Sequence, residues 1–356
     1  MFNGERYLIT GAGGFIGGWL AEILFLEGKV KVRAGIHQWM GAARLARFPM
    51  DITPCDILNP GQIDEAITDV SHIIHCAKGS SPDSIVIGTR NMLEAALKHG
   101  VKRFVHISTA EVYGNPNGIV DENYKCEKTG NIYGDAKLEA ERVCWEYKTK
   151  GLPLTIIRPS IVYGPFSKTW TVNIGFKLQS GNWGVFKGNG EGICNLIYIS
   201  DLVKAVLLSA RSDEATNETF NIVGPDLLTW NQYFIRFNAS MGLPELKEIN
   251  PESAKLSASI MEPIRSSAKY ARDHFEKPIK NLAANFGPAK QVMKYLERKI
   301  KTTPRMEDVS LFSRKANYKA EKAQRIIGFT PRFNLDAGLA LTIPWMKQVG
   351  LLKDQV

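Results

Sequence analysis

The chain has 356 residues, of which 44% are hydrophobic and 23% charged, a composition typical of a globular protein with one large domain or two closely associated ones. It contains no run of about 18 apolar residues, which excludes a membrane-spanning helix, and we expect no secretory leader. The net charge is +9, but +7 of it falls between Lys247 and Arg305. Such a local excess argues against a nucleic-acid partner and leaves three explanations: an anionic ligand, peripheral contact with an anionic membrane, or a solvated helical face.

The five cysteines are scattered and form no CxxC pair. We expect reduced thiols that mostly fill the core of a cytoplasmic protein. No cluster of histidine, cysteine and acidic residues has metal-ligand spacing, so no metal is predicted. His75 and His106 lie in apolar strands and are interpreted as core histidines.

Short β-rich runs and helical patterns alternate through the first two-thirds of the chain. The two leading helical patterns end at Gly28 and Gly100, which is typical of helix termini. The alternation predicts βαβ units and a doubly wound parallel sheet of the Rossmann type, covered on both faces. The predicted strands are residues 6–10, 30–36, 51–57, 72–77, 103–108, 154–160 and 219–224, and the predicted helices are 15–29, 84–100 and 133–151, with a further strand and helix within 195–210.

The pattern loosens after Gly164-Pro165, which suggests a second, smaller and mostly helical lobe for the substrate. We assign residues 1–165 and a return segment, 195–225, to an NAD(P)-binding domain. The substrate lobe then comprises residues 166–194 and 226–356, including a basic helical insert at 250–305. A cleft between two such parts is where a small-molecule substrate is expected.

The segment TGAGGFIG (10–17) lies between the first strand and the first helix. Gly11 permits a tight turn, Gly14 lets the backbone approach a pyrophosphate, and Gly17 lets the helix pack on the strand. Phe15 and Ile16 begin the helix, whose free N–H groups and positive dipole favour phosphate. The motif predicts a bound NAD or NADP.

The end of the second strand bears on the choice between the two cofactors. NAD-binding proteins usually carry an acid there for the ribose hydroxyls, but this chain has Ile36, with Arg33 and His37 nearby. The missing acid favours NADP, whose 2′-phosphate requires cations. Asp56 and Ile57, after the third strand, suit the adenine edge; a turn-forming role for Asp56 is the alternative.

Tyr133 and Lys137 share one face of a predicted helix, because residues four apart align. An ammonium beside a phenol favours the phenolate and lowers its pKa, so this pair could exchange a proton with a hydroxyl during hydride transfer. Thr109, at the tip of the fifth strand, could bond the same substrate oxygen. We therefore interpret the strand tip as a proton-handling site and not as a cap.

These motifs resemble the extended short-chain dehydrogenase/reductase family, the NAD(P)-dependent epimerase/dehydratase group, over about residues 5–225. The resemblance implies a catalytic trio of Thr109, Tyr133 and Lys137, with Lys137 also contacting the nicotinamide ribose. It implies that Pro159 to Ile161 line the nicotinamide, that Ala77 and Ser108 contact the cofactor, and that helices 84–99 and 133–149 form a homodimer interface. The matching segments are TGAGGFIG, HCA, HISTAEVYG, YGDAK, RPSIVYGP and LIYISDLVKA.

The chain also departs from the family pattern. Ala110 replaces the aspartate of the dehydratases, while Glu111 remains as a candidate proton donor or as a surface residue. The asparagine usual at Ile161 and the arginine usual near Cys194 are missing, so another cation replaces them or the substrate is not a nucleotide sugar.

We expect a nucleotide-sugar 4-epimerase or 4-ketoreductase. The alternatives are an oxidoreductase resembling the 3β-hydroxysteroid dehydrogenases, acting on an apolar substrate, and a non-catalytic dinucleotide-binding protein.

Overall fold

The computed structural model describes residues 4–250 and 302–352, together with 252, 256, 259–263, 265–267 and 300. Most of the predicted basic insert at 250–305 lies outside these residues. The chain divides into two compact units; the first comprises Met1–Tyr163, Asn195–Asp226 and Asn317–Asn334, and the second comprises Gly164–Cys194, Leu227–Ala316 and Leu335–Val356. Residues 317–334 therefore belong with the first unit, whereas the sequence-based boundaries assign them to the substrate lobe.

Thirteen strands are present within the described residues. They are β1 (Arg6–Thr10), β2 (Lys31–Ile36), β3 (Asp51–Pro54), β4 (His72–His75), β5 (Arg103–Ile107), β6 (Gly118–Val120), β7 (Leu154–Pro159), β8 (Ile161–Tyr163), β9 (Val185–Phe186), β10 (Leu196–Tyr198), β11 (Thr219–Ile222), β12 (Glu248–Ile249) and β13 (Ala316–Tyr318). The principal helices are α1 (Phe15–Glu27), α2 (Pro60–Ile67), α3 (Pro82–Lys98), α4 (Ile132–Thr149), α5 (Asn173–Gln179), α6 (Ile199–Arg211), α7 (Trp230–Ser240), α8 (Met306–Phe312), α9 (Glu321–Ile327) and α10 (Leu335–Gln348).

The first unit is built on a seven-stranded sheet in the order β11-β7-β5-β4-β1-β2-β3. Every neighbouring pair is parallel, so the predicted doubly wound Rossmann-type fold is confirmed. The strand order reverses between β1 and β4. In such sheets the carboxyl ends of the strands on either side of the reversal flank the ligand-binding crevice.

Helices cover both faces of this sheet. Helices α2, α3 and α4 bury apolar side chains against one face, and α1 and α6 lie together on the other. Because both faces are covered, every residue of β5 and β7 is buried, including polar side chains such as His106 and Arg158 among the apolar ones. The cluster on the first face includes Leu8, Ile63, Ile73, Met92, Leu93, Phe104, Val143, Tyr147, Leu154 and Ile156.

Helix ends follow local sequence signals. Helix α1 stops at Gly28, whose φ of 64° is the left-handed conformation that glycine tolerates best. Helix α2, which the sequence analysis does not predict, begins at Asn59, whose side chain accepts hydrogen bonds from the backbone N–H groups of Gly61 and Gln62. Pro60 occupies its first turn, where a missing N–H costs nothing.

The second unit contains a dense aromatic cluster. Trp183 and Phe186 are 2% and 1% exposed and pack edge-on at 5.0 Å between ring centroids. Phe234, Phe312 and Trp230 complete the cluster. Trp183 and Phe186 are therefore core residues.

Within the described residues, no helix combines the length and the apolar character needed to cross a membrane.

Candidate active site

The candidate site lies where the parallel strands of the first unit end. Gly11 follows β1, Ala77 follows β4, and Thr109 follows β5. In a parallel sheet these ends share one edge, and the contacts bear this out. The backbone N–H of Ala77 donates to Oγ1 of Thr10 at 3.2 Å, which ties the turn after β1 to the turn after β4.

The glycine-rich turn is as tight as its sequence predicts. Gly11 has a φ of 66°, and a Cβ placed there would lie 2.8 Å from the nitrogen of Ala77. A Cβ on Gly17 would lie 2.4 Å from the carbonyl oxygen of Gly11. Neither position therefore accepts a side chain without movement of the backbone. A Cβ on Gly14 would meet the same oxygen at 3.1 Å, a milder contact.

The start of α1 is left open to an anion. Its N-cap is Gly14, no side chain caps its free N–H groups, and its first turn holds no acidic residue. Phe15 and Ile16 occupy this turn and are partly exposed. An uncapped N-terminus beside a glycine turn fits the pyrophosphate of a dinucleotide.

The arginines near β2 have other partners. Nε of Arg33 donates to the carboxylate of Asp51 at 2.7 Å, and its guanidinium also donates to the carbonyl oxygens of Ala66 and Thr68 at 3.0 and 2.8 Å. Arg33 lies in the middle of β2, in register with Leu8 and Asp51. The charge of Arg33 is engaged between β3 and α2, which argues against the prediction that Arg33 contacts the cofactor.

Arg44 and Arg47 both pair with Glu22 of α1. Nε of Arg44 donates to its carboxylate at 2.7 Å and a terminal nitrogen of Arg47 does so at 2.8 Å. Glu22 is only 5% exposed. Arg44 and Arg47 neutralise the buried carboxylate of Glu22, so they are less available to bind the 2′-phosphate of NADP.

His37 and Asp56 are brought together, with 3.7 Å between Nε2 and Oδ2. His37 is well exposed, and Asp56 also accepts from the backbone N–H of Leu58 at 3.0 Å, so its turn-forming role is present. Ile57 is 5% exposed and packs beneath Gly88 of α3. Its side chain fills the core, which leaves only its backbone for an adenine.

Thr109 does cap a turn. Its Oγ1 accepts from the backbone N–H of Glu111 at 3.2 Å, at the start of a short 3-10 helix, Ala110–Tyr113. The prediction that the strand tip is not a cap is therefore wrong, whereas its role as a proton-handling site stays a prediction. A hydroxyl that accepts one bond still has its proton to donate, so capping leaves a donor for a substrate oxygen.

Tyr133 lies in the first turn of α4. Although 39% of its surface is exposed, desolvation of its hydroxyl end and then the carboxylate of Glu111 raise the pKa of Tyr133 to about 12. This direction is opposite to the lowering expected from Lys137. Asn131 links Tyr133 to Glu111. Its Oδ1 accepts a hydrogen bond from the backbone N–H of Tyr133 at 3.2 Å, and its Nδ2 donates to the carboxylate of Glu111 at 3.2 Å.

Lys137 is 3% exposed and points at β5. Its Nζ donates to the carbonyl oxygen of Ile107 at 2.6 Å and lies 3.2 Å from Nε2 of His106. Burial lowers the pKa of Lys137 to about 8. Burial, followed by the charge of Lys137, lowers the pKa of His106 well below its usual value and that of His75 to about 3. Both histidines are therefore neutral core residues, as predicted.

A buried polar network holds these elements together. Oγ of Ser108 donates to Glu141 at 2.5 Å, one turn beyond Lys137. Arg158 of β7 makes two bonds to the same carboxylate, at 3.0 and 2.6 Å, and a third to the hydroxyl of Tyr113 at 2.9 Å. The Ser108 hydroxyl is thus engaged with α4, and it positions the strand tip against the helix that carries Tyr133.

Two residues of the site, Lys78 and Asn131, are not identified from the sequence. Lys78 places its Nζ 5.3 Å from the centroid of the Tyr133 ring, and no motif marks it. Asn131 could have been found, because asparagine before a helical pattern is a strong N-cap signal. Pro159 is buried at the end of β7 and Ile161 is partly exposed at the start of β8.

Four cations of the second unit are candidates to replace the missing family arginine, and three of them have acidic partners within that unit. Lys177 lies 3.6 Å from Asp308, Lys187 lies 3.4 Å from Glu248, and Arg236 donates to Asp336 at 2.8 Å. The fourth, Lys168, is exposed.

A family model described as the NAD dependent epimerase/dehydratase family matches residues 7–223. The UDP-N-acetyl-alpha-D-glucosaminuronate decarboxylase of Bacillus cytotoxicus is 31% identical over 62% of this chain and 76% of its own length. The cinnamoyl-CoA reductase 1 of Petunia hybrida is 33% identical over 48% of this chain, which spans 58% of that relative.

Among solved structures, the UDP-glucose 4-epimerase of Thermotoga maritima aligns over 97% of this chain and 99% of its own with a TM-score of 0.72. At 22% identity the likeness concerns the fold.

Proposed function

The chain belongs to the NAD dependent epimerase/dehydratase family of extended short-chain enzymes, and on this premise we propose that it is a nucleotide-sugar 4-epimerase or 4-ketoreductase. The proposal is supported by the position of Thr109 in the turn after β5, which α4, the helix that carries Tyr133 and Lys137, contacts, and by the uncapped start of α1 after the glycine-rich turn. The named relatives that act on UDP-sugars support the substrate class.

The described residues fit a nicotinamide dinucleotide. Gly11, Gly14 and Gly17 with the start of α1 would hold the pyrophosphate, and Ala77 and Thr109 border the same edge. When bound, the cofactor supplies a hydride acceptor or donor. The chain then has to orient a secondary alcohol or ketone and to move one proton.

Tyr133 is the proposed acid and base. In the oxidising direction its phenolate removes the proton from the substrate hydroxyl, and in the reducing direction its phenol returns that proton to the carbonyl oxygen. Thr109 donates a hydrogen bond to the same oxygen and fixes its position. Lys137 contributes a charge beneath the site, held by Ile107 and His106.

Dehydration is disfavoured by Ala110. This residue is 6% exposed and stands where a second carboxylate would be needed. Loss of water from a sugar requires an acid for the leaving hydroxyl and a base for the carbon-bound proton. Glu111 is the acidic side chain that contacts the start of α4 here, through Asn131, and it serves as a proton donor or acceptor.

We propose NAD as the cofactor. NADP would need cations near β2 for its 2′-phosphate, but Arg33, Arg44 and Arg47 are all engaged with carboxylates. His37, which is exposed after β2, itself faces the carboxylate of Asp56 at 3.7 Å and is weaker support for a 2′-phosphate than an unpaired arginine would be.

A second candidate function is the reduction of an apolar carbonyl compound. The similarity to the petunia cinnamoyl-CoA reductase favours it, as does the absence of the family asparagine at Ile161. In this case the same trio would protonate the carbonyl oxygen, and the substrate would not need a nucleotide subsite.

The test has two parts. The purified protein is denatured and the released nucleotide is identified by mass spectrometry; NAD or NADH in equal amount to protein supports an epimerase, because an epimerase regenerates its cofactor in each cycle. The protein is then incubated with UDP-glucose, UDP-N-acetylglucosamine and UDP-glucuronic acid and followed by NMR. Conversion at C4 is expected, and turnover of cinnamoyl-CoA with NADPH, but of no UDP-sugar, would favour the second candidate.

A further inference from the structure

Lys78 is a cation beside the candidate site that no motif explains. It lies in the connection between β4 and α3, which spans only residues 76–81. Its Nζ lies 5.3 Å from the centroid of the Tyr133 ring, within the range at which a cation interacts with an aromatic face. Its side chain is exposed, and among the residues that the structure describes no carboxylate pairs with it.

The charges around Tyr133 come from three elements. The carboxylate of Glu111, in the turn after β5, disfavours the phenolate. Lys137, on α4 itself, directs its ammonium to the carbonyl oxygen of Ile107. Asp135 of the same helix accepts from the backbone N–H groups of residues 129 and 130. Lys78 is therefore the cation set against the Tyr133 ring.

We propose that the ammonium of Lys78 favours the ionised form of Tyr133 and thereby assists proton transfer at that residue. An aromatic face attracts a cation, and a phenolate, which carries a full negative charge, attracts it more strongly than a phenol. Lys78 acts through Tyr133 and is in this sense a positioning residue. The proposal rests on the proposed function only for the role of Tyr133.

The direct test is the titration of Tyr133 in the full-length protein. Tyrosine is replaced by 3,5-difluorotyrosine, whose more acidic phenol titrates while Lys78 is still protonated; the Tyr133 ¹⁹F resonance is assigned as the one missing from Tyr133→Phe, and its ionised fraction is measured at pH 8. In Lys78→Met we expect an upward shift of about half a pH unit, which lowers the ionised fraction at pH 8 about threefold. Lys78→Arg, which keeps the charge, should titrate like the wild type.

Lys102→Met is the matched control, because Lys102 is also an exposed lysine but precedes β5 at the opposite edge of the sheet. It should leave the Tyr133 titration unchanged. Equal ionised fractions in the wild type and Lys78→Met would overturn the proposal, as would a Lys78→Arg variant that titrates like Lys78→Met. The acid limb of the pH–rate profile on UDP-glucose should shift upward in parallel.

The failure of this proposal can be told from failure of the proposed function. The titration needs no substrate, so it reports on Lys78 even if Tyr133→Phe turns over normally. Conversely, an inactive Tyr133→Phe together with an unmoved titration in Lys78→Met would overturn the Lys78 proposal alone.

Discussion

At the scale of single residues, the site combines a raised pKa on Tyr133 with a lowered one on Lys137. The two side chains share a helix face, but they face different surroundings. Glu111 lies near Tyr133, whereas Lys137 is buried under β5 between Ile107 and His106. The proposed proton transfer at neutral pH therefore requires a charge beyond this pair, and we propose that Lys78 supplies it.

The buried lysine has a measurable consequence for stability. Its folded pKa, about 8, is below the unfolded value of about 10.4, so the unfolded state binds more protons between these limits. The free energy of unfolding therefore rises with pH across this window. Relative to Lys137→Met, the free energy of unfolding of the wild type should rise by up to about 3 kcal/mol between pH 8 and pH 10.5. Urea unfolding of both proteins across this range measures this difference. If the free energies of unfolding of the two proteins changed in parallel with pH, the lowered pKa of Lys137 would be contradicted.

Thr109 caps a turn and is proposed to hold the substrate oxygen, and one pair of variants separates these two roles. Thr109→Ser keeps the hydroxyl for both the cap and the substrate, whereas Thr109→Val keeps the shape and removes it. We expect Thr109→Val to lower kcat about 100-fold with a smaller change in KM, and Thr109→Ser to remain close to the wild type. Steady-state kinetics on the UDP-sugar that is turned over decide this. If Thr109→Val had a normal kcat, Thr109 would act only as a cap and not on the substrate.

At the scale of elements, the turn from β1 to α1 is the most constrained part of the cofactor edge. A methyl group on Gly17 would lie 2.4 Å from the carbonyl oxygen of Gly11, which is far inside van der Waals contact. We expect Gly17→Ala to lower the melting temperature and to weaken NAD binding at least tenfold, as measured by scanning fluorimetry and calorimetry.

A helix glycine without such a contact provides the control. Gly61 lies in α2, and a Cβ there would meet its nearest neighbour at 3.4 Å. Gly61→Ala should be neutral or stabilise the protein by up to about 1 kcal/mol. If Gly17→Ala behaved like Gly61→Ala, the tight-turn account of the cofactor edge would be wrong.

Much of the sheet could be predicted from the sequence, because buried parallel strands are apolar runs separated by helices with clear stops. Helix α2 was missed although Asn59 and Pro60 are start signals, since its eight residues are too few to show a periodic pattern. The ion pair between Arg33 and Asp51 could not be predicted, because it becomes apparent only when β2 pairs with β3. Lys78 could not be found, because its contact depends on how a loop meets another helix.

At the scale of the whole molecule, the resemblance implies a homodimer through α3 and α4. Ile87 of α3 is 51% exposed, and Arg90 of α3 pairs with Glu146 of α4 at 2.8 Å. These features fit a helical surface that a second copy would cover. We expect Ile87→Glu to shift the mass measured by light scattering from dimer towards monomer.

Ile119→Glu is the control for this change. Ile119 lies in β6, outside the sequence ranges of α3 and α4, and is 69% exposed. The same substitution there should leave the mass unchanged. A wild-type protein that is monomeric at micromolar concentration would contradict the dimer.

We propose that Tyr133 exchanges the proton during oxidation or reduction of a secondary alcohol. The decisive measurement is the rate of UDP-sugar conversion by Tyr133→Phe, with Tyr124→Phe as a control for the loss of a phenol in the same unit. We expect a fall in kcat of about 10²- to 10⁴-fold for Tyr133→Phe, with Tyr124→Phe close to the wild type. Undiminished turnover by Tyr133→Phe would contradict it.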